Sequence, residues 1–525
     1  MHHSNIYLTG FMGAGKTTVG RALADLLGWR FVDLDDRVVQ RFGQGIAEIF
    51  ASRGEPAFRE AESAELHRVS RKTHLVVATG GGLPAEAANR HLLRASGRVV
   101  CLMASLETCR AHLGPKGVKG RPLWRDPQAL AETYDRRREA YADCDLRLEV
   151  DGKGPDELLA ELLEGLAPEQ RWPLGMAGGE CRIISTWQGP QALAALVGER
   201  RVAIITDRHL QALHLPRYLK ALHQPPAALI SLAPGEASKS LASAKRVYEE
   251  LLKARIERGD LIVGLGGGVV TDLTGFVAST FKRGVAFVLA ATSLVAAVDA
   301  AVGGKTAVNL PGGKNVVGTF AAPEAVLLDR LALATLPRPQ IAEGLTEAYK
   351  TGLVAEPGLA DLVQADLKAL KAGDLLGLVE AARLSALAKS RVVGEDFQEK
   401  GLRRILNLGH TYGHALESHN RYRVSHGQAV AAGLMVAAQI SQGRGLLSQR
   451  LCAEICATAA GLIGPKLTWP DAAAAWTLMA NDKKNQGGRV IFVLPTGLGK
   501  TKIVDDVTPA EVAQALDALG VAAHG

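Results

Sequence analysis

The chain has 525 residues, 47% hydrophobic and 22% charged, with a formal net charge of +7. That length excludes a single compact domain and predicts two or three, each with its own core. The charge comes from scattered Lys and Arg rather than a basic tract, which favours small anionic substrates over nucleic acid. The most apolar region, 285–304, is interrupted by Asp299 and bounded by Lys282, Arg283 and Lys305, so it reads as buried strand and helix, not a membrane span. No basic-then-apolar leader is visible at the start, and the six cysteines form no C-x-x-C pair. Reduced thiols and a cytoplasmic location are the expectation.

Residues 4–20, SNIYLTGFMGAGKTTVG, predict a strand, a glycine loop and a helix. The loop 10–17 is G-x-x-x-x-G-K-T. Such a loop holds phosphates on backbone N–H groups, here those of Gly13, Ala14, Gly15 and Thr18, at a helix N-terminus. Lys16 reaches the outer phosphates and the Thr17 hydroxyl ligates Mg²⁺. ATP with Mg²⁺ follows; the acceptor does not. In FVDLDD (31–36) a strand ends with Asp33 and Asp35 on one side. One carboxylate suits a magnesium-bound water and the other a substrate hydroxyl; a solvated acidic turn is the alternative. Arg59 follows in FRE, and ATGGGLP (78–84) runs a strand into three glycines that admit a ligand close to the backbone. Arg121 lies in a Gly-, Pro- and Lys-rich stretch (114–125) with the composition of a lid, and Arg137 lies in YDRRREAY. Several arginines beside one phosphate loop point to an anionic acceptor, because guanidinium grips carboxylate in a two-pronged fork.

The glycine loop, D-L-D-D, F-R-E, T-G-G-G, R-P-L and R-x-x-x-Y, in that order, make residues 1 to about 165 resemble shikimate kinase. The resemblance implies that Asp35, Arg59, Gly81 and Arg137 hold shikimate. It makes Lys16, Thr17 and Asp33 the ATP–Mg²⁺ set, and Arg121 the lid arginine on the transferring phosphate. Catalysis would rest on Lys16, Asp35 and Arg121.

PDELLAELLEGL (155–166) has helical spacing and closes a first domain, 1–167. The Pro- and Gly-rich 168–180 reads as a linker. RVAIITD (201–207) is a buried strand, and SLAPGEASKS carries Glu236 and Lys239. DLIVGLGGGVVTDLTGFVAS (260–279) gives strand, three glycines and helix, with Asp272 one turn in. Glycines there let a pyrophosphate approach a helix N-terminus, although a tight βα turn explains them nearly as well. In TSLVAAVDAAVGGKTAVNLPGGKN (292–315), Asp299, Lys305, Lys314 and Asn315 punctuate an apolar stretch. An unpartnered buried Lys is costly, so Lys305 and Asp299 are expected to share one ligand site. GLTEAYKTG (344–352) places Glu347 and Lys350 on one helix face. His410 and His414 stand four apart in GLRRILNLGHTYGHALESHNRYRVSHG (401–427), and His426 opens a core helix. Such histidines serve structural roles as well as metal binding. Glu347 with His410 and His426 completes a Glu/His/His set with an open position, a catalytic metal arrangement.

G-G-G-V-V-x-D, D-x-x-x-G-G-K, G-K-N, E-x-x-K, L-N-x-G-H-x-x-G-H, S-H-G and D-K-K make residues 180–525 resemble 3-dehydroquinate synthase. The resemblance implies an α/β NAD-binding part, 181–336, and a mostly α-helical metal and substrate part, 337–525. It implies NAD⁺, a divalent metal (Zn²⁺, with Co²⁺ possible) and a homodimer through this half. Glu347, His410 and His426 would be the ligands. Asp299, Lys305, Asn315, Lys350, Lys389, Arg403, Asn407, His414 and Lys483 would surround the substrate, with Arg283 on its phosphate. NAD contacts would come from Asp207, Glu236, Lys239, Gly267, Gly268, Val269, Asp272, Thr292, Ser293, Lys314 and Thr335. Lys305 and Lys350 would be catalytic, and Glu399 and His414 are the candidate proton acceptors. Glu343, Arg208, His209 and Ala291 depart from the family pattern.

The two resemblances together imply a bifunctional enzyme of the shikimate pathway carrying two non-consecutive steps. One is phosphorylation of shikimate. The other converts 3-deoxy-D-arabino-heptulosonate 7-phosphate to 3-dehydroquinate and phosphate, with NAD⁺ regenerated. A kinase fused to a metal-dependent polyol dehydrogenase is the alternative, and a non-catalytic nucleotide-binding regulator is a second.

Overall fold

Six consecutive buried residues form strand β1 (Asn5–Gly10), the pattern of a strand covered on both faces. The computed structural model describes residues 5–119, 122–176, 179–311, 313–464, 467–480 and 489–521. The chain divides into two units, Met1–Pro168 and Glu169–Gly525. In the first, β1 joins β2 (Arg30–Asp33), β3 (Leu75–Ala78), β4 (Gly97–Met103) and β5 (Leu146–Glu149) in the order β2-β3-β1-β4-β5, every pair parallel. The order reverses at β1, so the glycine loop leaves a topological switch point, where doubly wound sheets bind ligands. Helices α1 (Lys16–Leu27), α2 (Leu34–Phe42), α3 (Ile46–Ser70) and α4 (Pro127–Ala142) carry the remaining polar groups of that site. The core beneath includes Tyr7, Val32, Leu66, Val77 and Val99.

The second unit holds a seven-stranded sheet in the order β6-β7-β14-β11-β10-β8-β9. Its strands are β6 (Gln170–Met176), β7 (Gly179–Thr186), β8 (Val202–Asp207), β9 (Ala228–Leu232), β10 (Leu261–Gly266), β11 (Ala286–Ala291) and β14 (Ala325–Asp329). Two hairpins, β12 (Lys305–Leu310) with β13 (Gly313–Phe320), and β15 (Phe492–Gly497) with β16 (Lys500–Val504), stand apart from it. Here one expectation is corrected. Most of the stretch read as a linker is β6, antiparallel to β7 with Trp172 opposite Ile183. Pro173 is tolerated because β6 is an edge strand, where a missing N–H breaks no second ladder. The Pro and Gly content therefore marked a sheet edge rather than a break.

Helix α5 (Gly268–Thr280) follows β10. The helical part contains α6 (Arg338–Ala355), α7 (Leu375–Glu395), α8 (His410–His419) and α9 (His426–Gly443). Two glycines bring three of these together. A Cβ on Gly433 of α9 would lie 1.8 Å from the Gly409 carbonyl oxygen ahead of α8, and one on Gly427 would lie 2.6 Å from the Glu343 Cα of α6. Only bare backbone permits such approaches. No helix among the described residues is long and apolar enough to cross a membrane, and all six cysteines are free.

Candidate active sites

In the first unit the loop after β1 takes positive φ at Gly10, Gly13 and Gly15, which turns its N–H groups inward ahead of α1. Lys16 Nζ donates to the carbonyls of Gly10 and Phe11 at 2.9 and 3.0 Å. Desolvation pulls this ammonium below its ordinary value, against the pull of Asp35 and Asp33. Thr17 donates to Asp33 Oδ2 at 2.9 Å, so a hydroxyl and a carboxylate meet where a phosphate-bound cation would lie. Ala14 is buried behind the loop, whereas Thr18 is exposed at the helix start.

Asp35 is not on the strand, as expected from alternation. β2 stops at Asp33, whose Oδ1 caps α2 by accepting from Asp35 N at 3.1 Å. An Asp at the N-cap ends a strand and starts a helix in one residue. Burial and Asp33 raise the Asp35 carboxyl. The three glycines after β3 face a ring of charged groups. A Cβ on Gly82 would meet the Arg59 guanidinium at 2.4 Å, one on Gly80 would meet Glu62 and Asp35, and one on Gly81 would lie 3.7 Å from Arg137. Arg59 pairs with Glu62 at 2.8 Å and Glu55 at 2.9 Å. Tyr141 donates to Gly81 O at 2.5 Å. Tyr141 is the tyrosine of the R-x-x-x-Y element that begins at Arg137; Glu62 was not singled out from the sequence, and its signal was helical spacing, three residues after Arg59. Burial pushes the Glu62 carboxyl up to about 7 despite Arg59. The stretch with the composition of a lid, 114–125, begins at a break at Gly114 within the helix Leu106–Lys119 and ends in a short helical turn, Pro122–Arg125; Arg121 lies outside the described residues.

In the second unit Gly267 caps α5, and Gly268, Val269 and Asp272 occupy its first turns. Thr292 N donates to Gly266 O at 3.0 Å, and Ser293 Oγ lies 3.2 Å from a Cβ position on Gly267. Lys239 donates to Asp272 and to Asn315 Oδ1, tying α5 to hairpin β12–β13. Asn309 donates to Glu236 at 2.7 Å. Asp207 spends one oxygen capping the next helix through the N–H groups of His209 and Leu210. Thr335 meets His214 at 3.0 Å.

The charges of the substrate set are largely paired with one another. Lys389 Nζ lies 2.6 Å from Asp299 Oδ1; burial lowers the ammonium to about 8, against Asp299. Burial alone would raise Asp299, but Lys389 and Lys350 hold it well below the usual carboxylate range. Lys305 pairs with Glu399 rather than with Asp299 and is 45% exposed at its side chain, so it is not the buried lysine that the apolar stretch suggested, while Glu399 and Asp299 both act on Lys350 and Arg403. The place of Lys305 at the start of a hairpin, rather than inside a helix, lets the ammonium reach solvent. Asn407 donates to Glu399 at 2.9 Å, and the buried Arg403 donates to Phe397 O at 2.7 Å. Arg283 is exposed and lies just ahead of β11. Lys483 lies outside the described residues.

Glu347, His410 and His426 come from α6, α8 and α9, and their ligand atoms lie within 4.8 Å of one another. Glu347 Oε1 is 3.4 Å from His426 Nε2 and 3.9 Å from His410 Nε2. Ligand atoms bound tetrahedrally at about 2.1 Å to zinc stand about 3.4 Å apart. Glu347 is 1% exposed, and among the described residues its Oε1 has no hydrogen-bond partner within ordinary geometry beyond the facing imidazoles, while Oε2 accepts from Lys350 at 2.5 Å. His410 Nδ1 sits 3.2 Å from Leu408 O, which leaves Nε2 to ligate. His414 packs beside both rings, with centroids 5.5 Å from His410 and 6.2 Å from His426. These residues fit a divalent cation. Glu417, not singled out from the sequence, accepts at 3.4 Å from His426 Nδ1. Between Glu347 and Glu417, and against its burial, His426 is pushed up to about 10.

Fold and sites define an enzyme of two parts: a P-loop phosphotransferase, and an α/β unit whose helical half gathers a Glu/His/His centre. The shikimate kinase family model matches residues 12–167. The models for the N- and C-terminal parts of 3-dehydroquinate synthase match 229–343 and 344–485. A bifunctional shikimate kinase/3-dehydroquinate synthase of Thermotoga maritima is 32% identical over 520 residues, 98% of this chain and 100% of that one. A 3-dehydroquinate synthase of Paracoccus denitrificans is 42% identical across 62% of this chain and 91% of its own. Among solved structures, ValA (2-epi-5-epi-valiolone synthase) from Streptomyces hygroscopicus with NAD⁺ and Zn²⁺ bound shares the fold. It has a TM-score of 0.62 at 24% identity, over 66% of this chain and 98% of that one. A 2-deoxy-scyllo-inosose synthase complexed with carbaglucose-6-phosphate, NAD⁺ and Co²⁺ has a TM-score of 0.60 at 22% identity, over 66% and 99%. The chain belongs to the family of bifunctional shikimate kinase/3-dehydroquinate synthases. It carries both enzyme activities.

Proposed function

We propose that each activity resides in its own unit and that the second uses NAD⁺ and a divalent cation, Zn²⁺ by preference. In the first, Lys16, Thr17 and Asp33 hold ATP–Mg²⁺, while Arg59 and Arg137 grip the shikimate carboxylate and Asp35 takes the hydroxyl proton. Asp35 is supported in that role by its place beside the Gly80 backbone and near Lys16. Arg121 would join the transferring phosphate.

In the second unit Glu347, His410 and His426 would hold the cation. Bound there, cation and dinucleotide supply polarisation of a substrate hydroxyl and a reversible hydride acceptor. The protein orients the sugar acid through Lys350, Lys389, Arg403 and Asn407, whose charges and amides suit a carboxylate and a phosphate. Glu399 and His414 hold protons near the reacting carbons. The single observation carrying this reading is the bare, buried Glu347 Oε1 facing two imidazoles. The NAD⁺ and metals in the two fold relatives agree with it. Work in the cytoplasm as a homodimer through the second unit belongs to the same reading, and sedimentation of the full chain tests the dimer.

The deciding assay feeds the phosphorylated heptulosonate and NAD⁺ to the protein. Phosphate release with no net NADH is expected. Stoichiometric NADH would identify a polyol dehydrogenase instead.

A further inference from the structure

We propose that Glu417 is a positioning residue for the metal centre: it orients His426 from behind and is itself held by Lys314 of hairpin β12–β13. The inference rests on the metal reading above.

Glu417 lies on α8, seven residues after His410, and its side chain is 4% exposed. Each of its oxygens has a partner. Oε2 is 3.4 Å from His426 Nδ1, and Oε1 accepts from Lys314 Nζ at 2.9 Å. The two nitrogens of an imidazole point in nearly opposite directions. A carboxylate at Nδ1 therefore stands behind a ring whose Nε2 faces Glu347 Oε1 at 3.4 Å. That is the carboxylate–histidine–metal arrangement, in which the outer carboxylate keeps the proton on one nitrogen and the lone pair on the other.

Glu417 also belongs to a second group of possible ligands, with His414 and His426. The Lys314 ammonium disfavours a cation on that side, since it already occupies Oε1 with like charge. Lys314 does more than neutralise a buried carboxylate. Its neighbour Asn315 accepts from Lys239, which pairs with Asp272 of α5. His426 is thus joined through Glu417 to the hairpin, and through the hairpin to the helix after the glycine turn. Lys314, expected from the resemblance to touch NAD, is placed to support the metal as well.

The test titrates Co²⁺ into full-length, metal-free protein. Affinity is read against a chelator and coordination from the visible bands. Glu417→Gln keeps the side chain's shape and should lose about 10- to 100-fold in Co²⁺ affinity, with shifted bands. Lys314→Met, which removes no ligand, should lose a smaller factor, and Glu417→Asp should recover part of the loss. Wild-type affinity and bands in Glu417→Gln would overturn the proposal. So would complete loss of the bands as in His410→Ala, because Glu417 would then be a ligand. Wild-type protein without stoichiometric Co²⁺ bands would overturn the metal reading itself, a different result.

Discussion

The two units build their sites by different means. In the first, the phosphate-facing surface is backbone contributed by one short loop, and even Lys16 rests on carbonyls five and six residues away. In the second, Glu347, His410 and His426 are side chains from three helices, held together by bare glycine contacts. A loop of backbone donors is specified locally, and its geometry survives changes elsewhere. A side-chain cluster depends on each helix keeping its distance from the others.

The comparison breaks most sharply with one substitution in each unit. Lys16→Ala should lower shikimate phosphorylation by about 10³-fold, and His410→Ala should abolish phosphate release from the heptulosonate. Each should leave the other activity within about twofold, measured by coupled assays on the full chain. Gly433→Ala comes next. Its methyl group would collide with the Gly409 carbonyl, so α8 and α9 must part at a cost of about 1–3 kcal/mol. Metal content by elemental analysis should fall while shikimate phosphorylation holds. No single methyl in the first unit's loop would be expected to empty the second site.

Glu62 sharpens the comparison through pH. Its folded value of about 7 lies above the ordinary 4.5, because burial outweighs Arg59. A raised carboxyl favours the folded state below the unfolded value, and that contribution is lost as pH rises through 7. Glu62→Gln should therefore remove a stability loss of up to about 3 kcal/mol between roughly pH 5 and pH 8. Calorimetry of the full chain at both values checks it; an unchanged slope would reject the assignment. The smallest effect is expected from Thr17→Val, which removes one donor to Asp33 and should weaken Mg²⁺ dependence about tenfold in a metal titration.

What was hidden from the sequence differs between the units in the same way. The glycine loop and the arginines were legible because each sits in a motif of a few residues. Alternation places Asp35 on a strand because that pattern cannot see that Asp33 caps a helix. β6 is hidden in a stretch that reads as a linker because Pro and Gly look alike in a loop and at a sheet edge. Glu62 and Glu417 had only helical spacing to mark them, a signal that most surface residues share.

Residue order alone determined the chemical vocabulary: a phosphate loop, glycine turns, and acids and imidazoles of the kind that bind cations. Those depend on contacts within one turn of chain, which local sequence dictates. Tertiary structure decided which groups meet. The pairing of Lys389 with Asp299 and of Glu417 with Lys314, and the convergence on Glu347, span tens of residues and exist only once helices pack on bare glycine.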